Sequence, residues 1–130
     1  MIVIDYGETQ DGPTVWLVID SVAEFTSFHE LVAQLSHGDV VMVDCRKSAG
    51  LFSLMPDVSN LLLNVVPANQ NSRVELANDE HGRLISWKLS RDGWQEALAL
   101  MEGLAPASHQ YFDYPKATVI VSMMEDLKRG

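Results

Sequence analysis

The stretch from Arg83 to Ser122 constrains the fold of this chain more than any other. It reads RLISWKLS, then RDGWQEALALMEGLA, then SHQYFDYPKATVIVS: a strand, an amphipathic helix and a strand. Ser90 stands at an N-cap position, and Asp92 falls in the first turn, where negative charge suits the helix dipole. At 100° per residue, Trp94, Ala97, Leu98, Leu100, Met101 and Leu104 share one side, with Gln95, Glu96, Ala99 and Glu102 opposite. Gly103 and Pro106 end the helix. In the strand before it, Leu84, Ser86 and Lys88 alternate with Ile85, Trp87 and Leu89, so one face is apolar throughout.

The rest of the chain supplies more elements of the same kind. Met1–Asp5 and Thr14–Asp20 (TVWLVID) read as strands joined by a loose, turn-rich loop, YGETQDGP. Ser21-Val22-Ala23-Glu24 matches a capping box and opens a helix to about Ser36, with Phe25, Phe28, Leu31, Val32 and Leu35 on its apolar face. Asp39–Cys45 reads as a short buried strand. From Arg46 to Asp57 the expectation is an irregular loop pinned by Leu51, Phe52, Leu54 and Met55. Asn60–Val66, Arg73–Ala77 and Arg83–Ser90 follow, separated by PANQNS and NDEHG, and predict an antiparallel meander. His109–Asp113 and Ala117–Ser122 form a last strand pair, and MEDLKRG is an end piece. No internal repeat is visible in the residues. The expected class is α+β: a single domain over 1–130, two-layer, with a mostly antiparallel sheet of about six to eight strands and two amphipathic helices.

Composition narrows the function. Eighteen acidic and nine basic residues give a net charge of −9, which argues against a nucleic-acid groove. The imbalance is local. Residues 1–45 hold Asp5, Glu8, Asp11, Asp20, Glu24, Glu30, Asp39 and Asp44 with no Lys or Arg, a charge of −8; residues 46–130 hold ten acids and nine bases, or −1. Such a field suits a basic protein partner, although acidity also serves solubility. The single cysteine, Cys45, excludes an intrachain disulfide, and no apolar run approaches the ~20 residues of a membrane span. The first residues carry no basic segment of the signal-peptide kind. A cytoplasmic setting is the expectation, without a cofactor.

Catalytic signatures are weak. Cys45 follows a strand and precedes Arg46 and Lys47, a setting that lowers a thiol pKa if the thiol is accessible. His29, His37, His81 and His109 fall in no metal-ligand spacing, and Asp79-Glu80-His81 are consecutive in a turn, so no metal site is expected. Phosphate-loop, dinucleotide and nucleophile-elbow patterns are missing.

The segments I-S-W-K-L-S-R-D-G-W, S-H-Q-Y-F-D and V-I-V-S-M-M-E-D, all within residues 83–126, carry a resemblance. They are similar to small bacterial immunity proteins of polymorphic-toxin and contact-dependent inhibition systems, where an H-x-Y/H-Φ segment precedes a strand with an acid. The resemblance implies a non-enzymatic inhibitor that protects its own cell by binding a cognate toxin. With the charge pattern, it places the partner-binding surface on Glu8, Asp11, Glu24, Glu30 and Asp44, with Leu51 and Phe52 as apolar anchors. The other readings are an intracellular enzyme using Cys45 or His109, and an acidic adaptor in a protein assembly.

Overall fold

The computed structural model describes residues 1–48, 50–104 and 108–124. Among them the fold is α+β, with two helices and nine strands in two mixed sheets. The chain begins with β1 (Ile2–Thr9) and β2 (Gly12–Ile19), followed by α1 (Val22–His37). Two short strands come next, β3 (Met42–Asp44) and β4 (Phe52–Leu54), then β5 (Val58–Val65). The second part holds β6 (Arg73–Asp79), β7 (Gly82–Leu89), α2 (Arg91–Glu102), β8 (His109–Tyr114) and β9 (Ala117–Met123). One sheet runs β4-β1-β2-β9-β8 and the other β3-β5-β7-β6.

The two parts repeat one plan. Each starts with a tight hairpin whose second strand leads into a Ser-capped helix; Ser21 Oγ accepts the Glu24 N–H at 3.1 Å, and Ser90 Oγ the Gly93 N–H at 3.2 Å. The strand pair that follows each helix, β3 with β5 or β8 with β9, then joins the other part's hairpin through its later strand. Thus β5 lies parallel to β7, and β9 lies parallel to β2. Orders β1-β2-β9-β8 and β6-β7-β5-β3 correspond strand for strand, and β4, added parallel to β1, is the one departure. The repeat lies in topology and not in residue identity, which is why the sequence shows none.

This exchange corrects several expectations. The segments 60–66, 73–77 and 83–90 do not form a meander: β6 and β7 are antiparallel neighbours, but β5 pairs with β7 in parallel on its other side. The loop between the first strands is no loop, since β1 continues to Thr9 and turns within two residues. The 39–45 run, expected to be a buried strand, yields a three-residue edge strand whose first residue, Met42, is exposed, as is Val41 before it. The 46–57 segment, expected to be irregular, contributes β4. The end piece 125–130 and Pro106 lie outside the described residues.

Both sheets bury alternate residues against the helices. Val15, Leu17 and Ile19 of β2 and Val119 and Val121 of β9 meet Leu61 and Leu63 of β5 and Ile85 and Leu89 of β7 in one core. Phe28, Val32 and Leu35 of α1 and Trp94, Ala97, Leu98 and Met101 of α2 complete it. Leu100, expected on the apolar side, is half exposed because it sits at the margin of that arc. Trp87 ties the two sheets together: on β7 of the four-stranded sheet, its ring centroid lies 5.0 Å from Trp94 and 5.2 Å from Phe112 of β8, and its indole N–H donates to Tyr114 Oη at 2.9 Å.

The second hairpin turn is locked against the first part of the chain. Gly82 has φ +128°, and a Cβ there would come 2.6 Å from the Asp57 carbonyl oxygen, which accepts the Arg83 N–H at 2.8 Å. Gly12, with φ +101°, has open space around the same position. Gly12→Ala should therefore cost only the left-handed backbone penalty, about 1–2 kcal/mol. Gly82→Ala should cost clearly more, because the 57–59 backbone must move. Urea unfolding midpoints of the two variants check this; equal losses would contradict it.

Candidate partner interface

Strand alternation decides which side chains leave the core on the outer face of the five-stranded sheet. Register places Asp5, Trp16, Ile120 and Tyr111 in one row across β1, β2, β9 and β8. Val3, Val18, Ser122 and His109 form the next row. Gly7, Thr14, Thr118 and Asp113 form a third. The Trp16 indole reaches over Gly7, where a Cβ would sit 3.2 Å from the ring, so the glycine leaves room for the indole. Tyr111 is 55% exposed at the margin, and His109 packs edge-on to it at 6.3 Å between centroids. The charged carboxylates in these rows, Asp5 and Asp113, have no Lys or Arg among them.

The equivalent face of the four-stranded sheet has different chemistry on the same plan. Its rows are Asp44, Leu62, Ser86 and Glu75, and Met42, Asn64, Lys88 and Arg73. Here charges are internally matched: Glu75 lies 2.8 Å from Arg73 and 2.5 Å from Lys88. Hydrogen bonds from Arg73 and then Lys88 hold the Glu75 carboxyl down at about 2. Among the described residues, one face is thus aromatic and apolar with acids in no ion pair, and the other carries the Glu75–Arg73–Lys88 cluster.

The residues expected at a partner surface do not gather at one place. Glu8 and Asp11 are exposed together at the tip of the first hairpin, where the Asp11 N–H donates to Thr9 Oγ1 at 3.1 Å. Glu24 is engaged by the Met1 amino group at 2.5 Å, so its carboxylate does not reach back to the Ser21 N–H as a capping box would. Glu30 is exposed on α1. Asp44 is on the outer face of the other sheet; burial opposes its charge, but Asn60 Nδ2 at 2.9 Å and the Lys47 N–H at 3.2 Å outweigh that and keep its pKa low. Leu51 is half buried against the core, and its carbonyl accepts the Ile2 N–H. Phe52 is a core residue, edge-on to Phe28 at 6.2 Å, and is not available as an exposed anchor.

Beside the hairpin tip runs a groove lined by Tyr6, Pro56, Asp57, Asn78 and Arg83. Arg83 stacks over the Tyr6 ring at 4.8 Å. Two acids from beyond residue 45, Asp57 and Asp79, therefore approach the same end as Glu8, which the linear charge count did not reveal. Asp79 already accepts Ser59 Oγ at 2.5 Å and the His81 N–H at 2.7 Å, and it is held in its charged form by them.

Cys45 and His109 are placed apart in role as well as element. Cys45 is fully buried beside β3, and burial first, then Asp44, push its thiol pKa up despite Arg46 and Lys47 following it. His109 is on exposed β8, with Nδ1 2.7 Å from Ser122 Oγ. The residues missed by sequence reasoning are the outward Trp16, Val18, Ile120 and Tyr111. A signal was present in TVWLVI, where Trp16 and Val18 are apolar on the face opposite Val15, Leu17 and Ile19, more than a one-sided sheet requires; Ile120 and Tyr111 have polar neighbours on their own faces and gave none.

No known family's sequence pattern matches the chain, and no curated protein is detectably similar to it.

Two measurements test this electrostatic and packing map. Cys45 should resist a thiol reagent in the native protein and react fully on unfolding; rapid native labelling would contradict its burial. Glu75, with its folded pKa depressed, adds stability above its unfolded pKa of about 4.3 that is lost as pH falls towards 2. Because Glu75 is half exposed, screening limits that contribution to about 1 kcal/mol at most. Glu75→Gln should flatten the acid limb of a stability-against-pH profile and leave its slope near neutrality unchanged.

Proposed function

We propose that this chain is a non-enzymatic binding protein, an immunity-type inhibitor that neutralises a basic protein toxin by direct contact. The contact surface in this reading is the outer face of the five-stranded sheet together with the acidic tip of its first hairpin. The supporting observation is the contrast between two topologically equivalent faces. Lys88 and Arg73 neutralise Glu75 on one, while Trp16, Ile120 and Tyr111 lie among unmatched Asp5 and Asp113 on the other. A scaffold used twice, with one face left apolar and acidic, has a surface suited to a desolvating, cationic partner.

The division of labour follows from physics. Glu8 and Asp11 act at range and raise the encounter rate, an effect that salt screens over a Debye length of about 8 Å in physiological conditions. Trp16 and Tyr111 offer large, rigid contact area, so they govern how long the complex lasts. A standard interface of about 1,200–2,000 Å² in total is compatible with a face of this width plus the hairpin tip.

The toxin to test is the product of the reading frame immediately upstream. Stopped-flow association with Glu8→Lys/Asp11→Lys should be slower by about 10-fold at low salt and less salt-dependent than wild type. Glu30→Lys, on α1, should leave the rate nearly unchanged. Trp16→Ala should instead accelerate dissociation. Association unaffected by the hairpin pair, with a toxin that does bind, would remove the acidic tip from the interface.

A further inference from the structure

We propose that two copies of this chain join edge to edge through β8, pairing it antiparallel with itself to make one continuous sheet across the dimer. Three of the four sheet edges are unsuited to this. β3 and β4 are three residues long. β6 carries the exposed Arg73–Glu75 pair, and such charges deter strand addition. β8 has six residues, HQYFDY, with no proline, no lysine and no bulge.

Its backbone is set for a partner. The Met123 N–H donates to the Ser108 carbonyl at 3.0 Å, and Ser108 precedes His109, which lies opposite Ser122. Hydrogen-bonded positions alternate along an antiparallel ladder. Gln110, Phe112 and Tyr114 therefore turn their backbone groups to β9, while His109, Tyr111 and Asp113 turn theirs to the edge, which no strand covers among the described residues. The outward Tyr111 carbonyl takes only the Gln110 side-chain amide, at 3.3 Å among the described contacts, which a backbone donor can replace.

The side chains are self-complementary about a two-fold axis through Tyr111. That register sets His109 against Asp113 of the second copy, Gln110 against its Phe112, and Tyr111 against its Tyr111. On the outer face His109, with ring nitrogens able to donate a hydrogen bond, then meets the accepting carboxylate of Asp113, and the tyrosines meet each other. The row Trp16, Ile120, Tyr111 continues directly into its own mirror in the second copy. Charge permits the approach. Between Ser108 and Thr118 there is one acid, Asp113, and one base, Lys116, so this edge is a neutral place on a protein of net charge −9. A join of two strands buries less than a standard interface of about 1,200 Å², so association is reversible and concentration-dependent.

Sedimentation equilibrium over micromolar to millimolar protein should show the mass rising from 14.4 kDa towards twice that value. Amide exchange at positions 109, 111 and 113 should slow over the same range. Tyr111→Pro removes the outward N–H and should remain monomeric at every concentration. His109→Asp, which sets two acids against each other, should weaken the dimer by about 10-fold or more. His109→Asp/Asp113→His should restore it. If Tyr111→Pro lacks native near-ultraviolet dichroism, the charge-swap pair decides alone. A wild-type chain that stays at 14.4 kDa, a Tyr111→Pro variant that dimerises normally, or a double swap no better than His109→Asp would each overturn the proposal. None of these outcomes depends on whether a toxin is bound.

Discussion

The ladders of β5 and β9 are completed only by the hairpin of the opposite part of the chain, and this exchange governs the rest of the structure. β5 has β7 as its parallel neighbour and β9 has β2. Without the other half, each post-helical strand would leave a row of backbone donors and acceptors unpaired, at a cost comparable to lost hydrogen bonds for every buried group. The helices are held by the same arrangement, since each bridges the sheet it leaves and the sheet its strand joins. Trp87 marks the junction: one indole on β7 touches α2 through Trp94 and β8 through Phe112, and donates to Tyr114. Folding is consequently dominated by contacts distant in sequence, a topology associated with slow folding.

A repeated plan with an exchanged strand also produces two outer faces that start equivalent. What distinguishes them is side-chain chemistry alone. Lys88, Arg73 and Glu75 pair on one face, while the other keeps Trp16, Ile120 and Tyr111 beside carboxylates that are in no ion pair among the described residues. The added strand β4 covers the outer edge of β1, so the five-stranded sheet ends on β4 and β8. The outer face, the hairpin tip and the β8 edge belong to one sheet, so the proposed partner surface and the proposed β8 join would draw on different backbone groups.

The chain's own ends of elements were readable because they rest on local chemistry. Ser21 and Ser90 cap helices where their hydroxyls reach the third residue on, and the 100° periodicity placed Phe28, Val32, Trp94 and Met101 inward. Partnering was not readable. NDEHG correctly marked the β6–β7 turn, yet the hydrophobic run NLLLNVV fits a parallel or an antiparallel neighbour equally well. Phe52 shows the limit at the site: an aromatic in a Gly- and Pro-bounded segment looks like an exposed anchor until a parallel pairing with β1 turns it onto Phe28. Glu24 shows it for charge, because a carboxylate counted towards the acidic surface is taken by the Met1 amino group.

Residue order alone carried the α+β class, the two helices with their caps, most strand positions and an acid excess concentrated in the first 45 residues. These follow from periodicity, capping and composition, which depend on neighbours within a few residues. The tertiary fold set the rest: the strands form two sheets by exchange, Cys45 is sealed in the core, and half-buried Trp16 and Ile120 share an outward-facing row with exposed Tyr111. Those outcomes depend on which distant strand lies alongside which, and a strand apolar on both faces does not state which face will be covered.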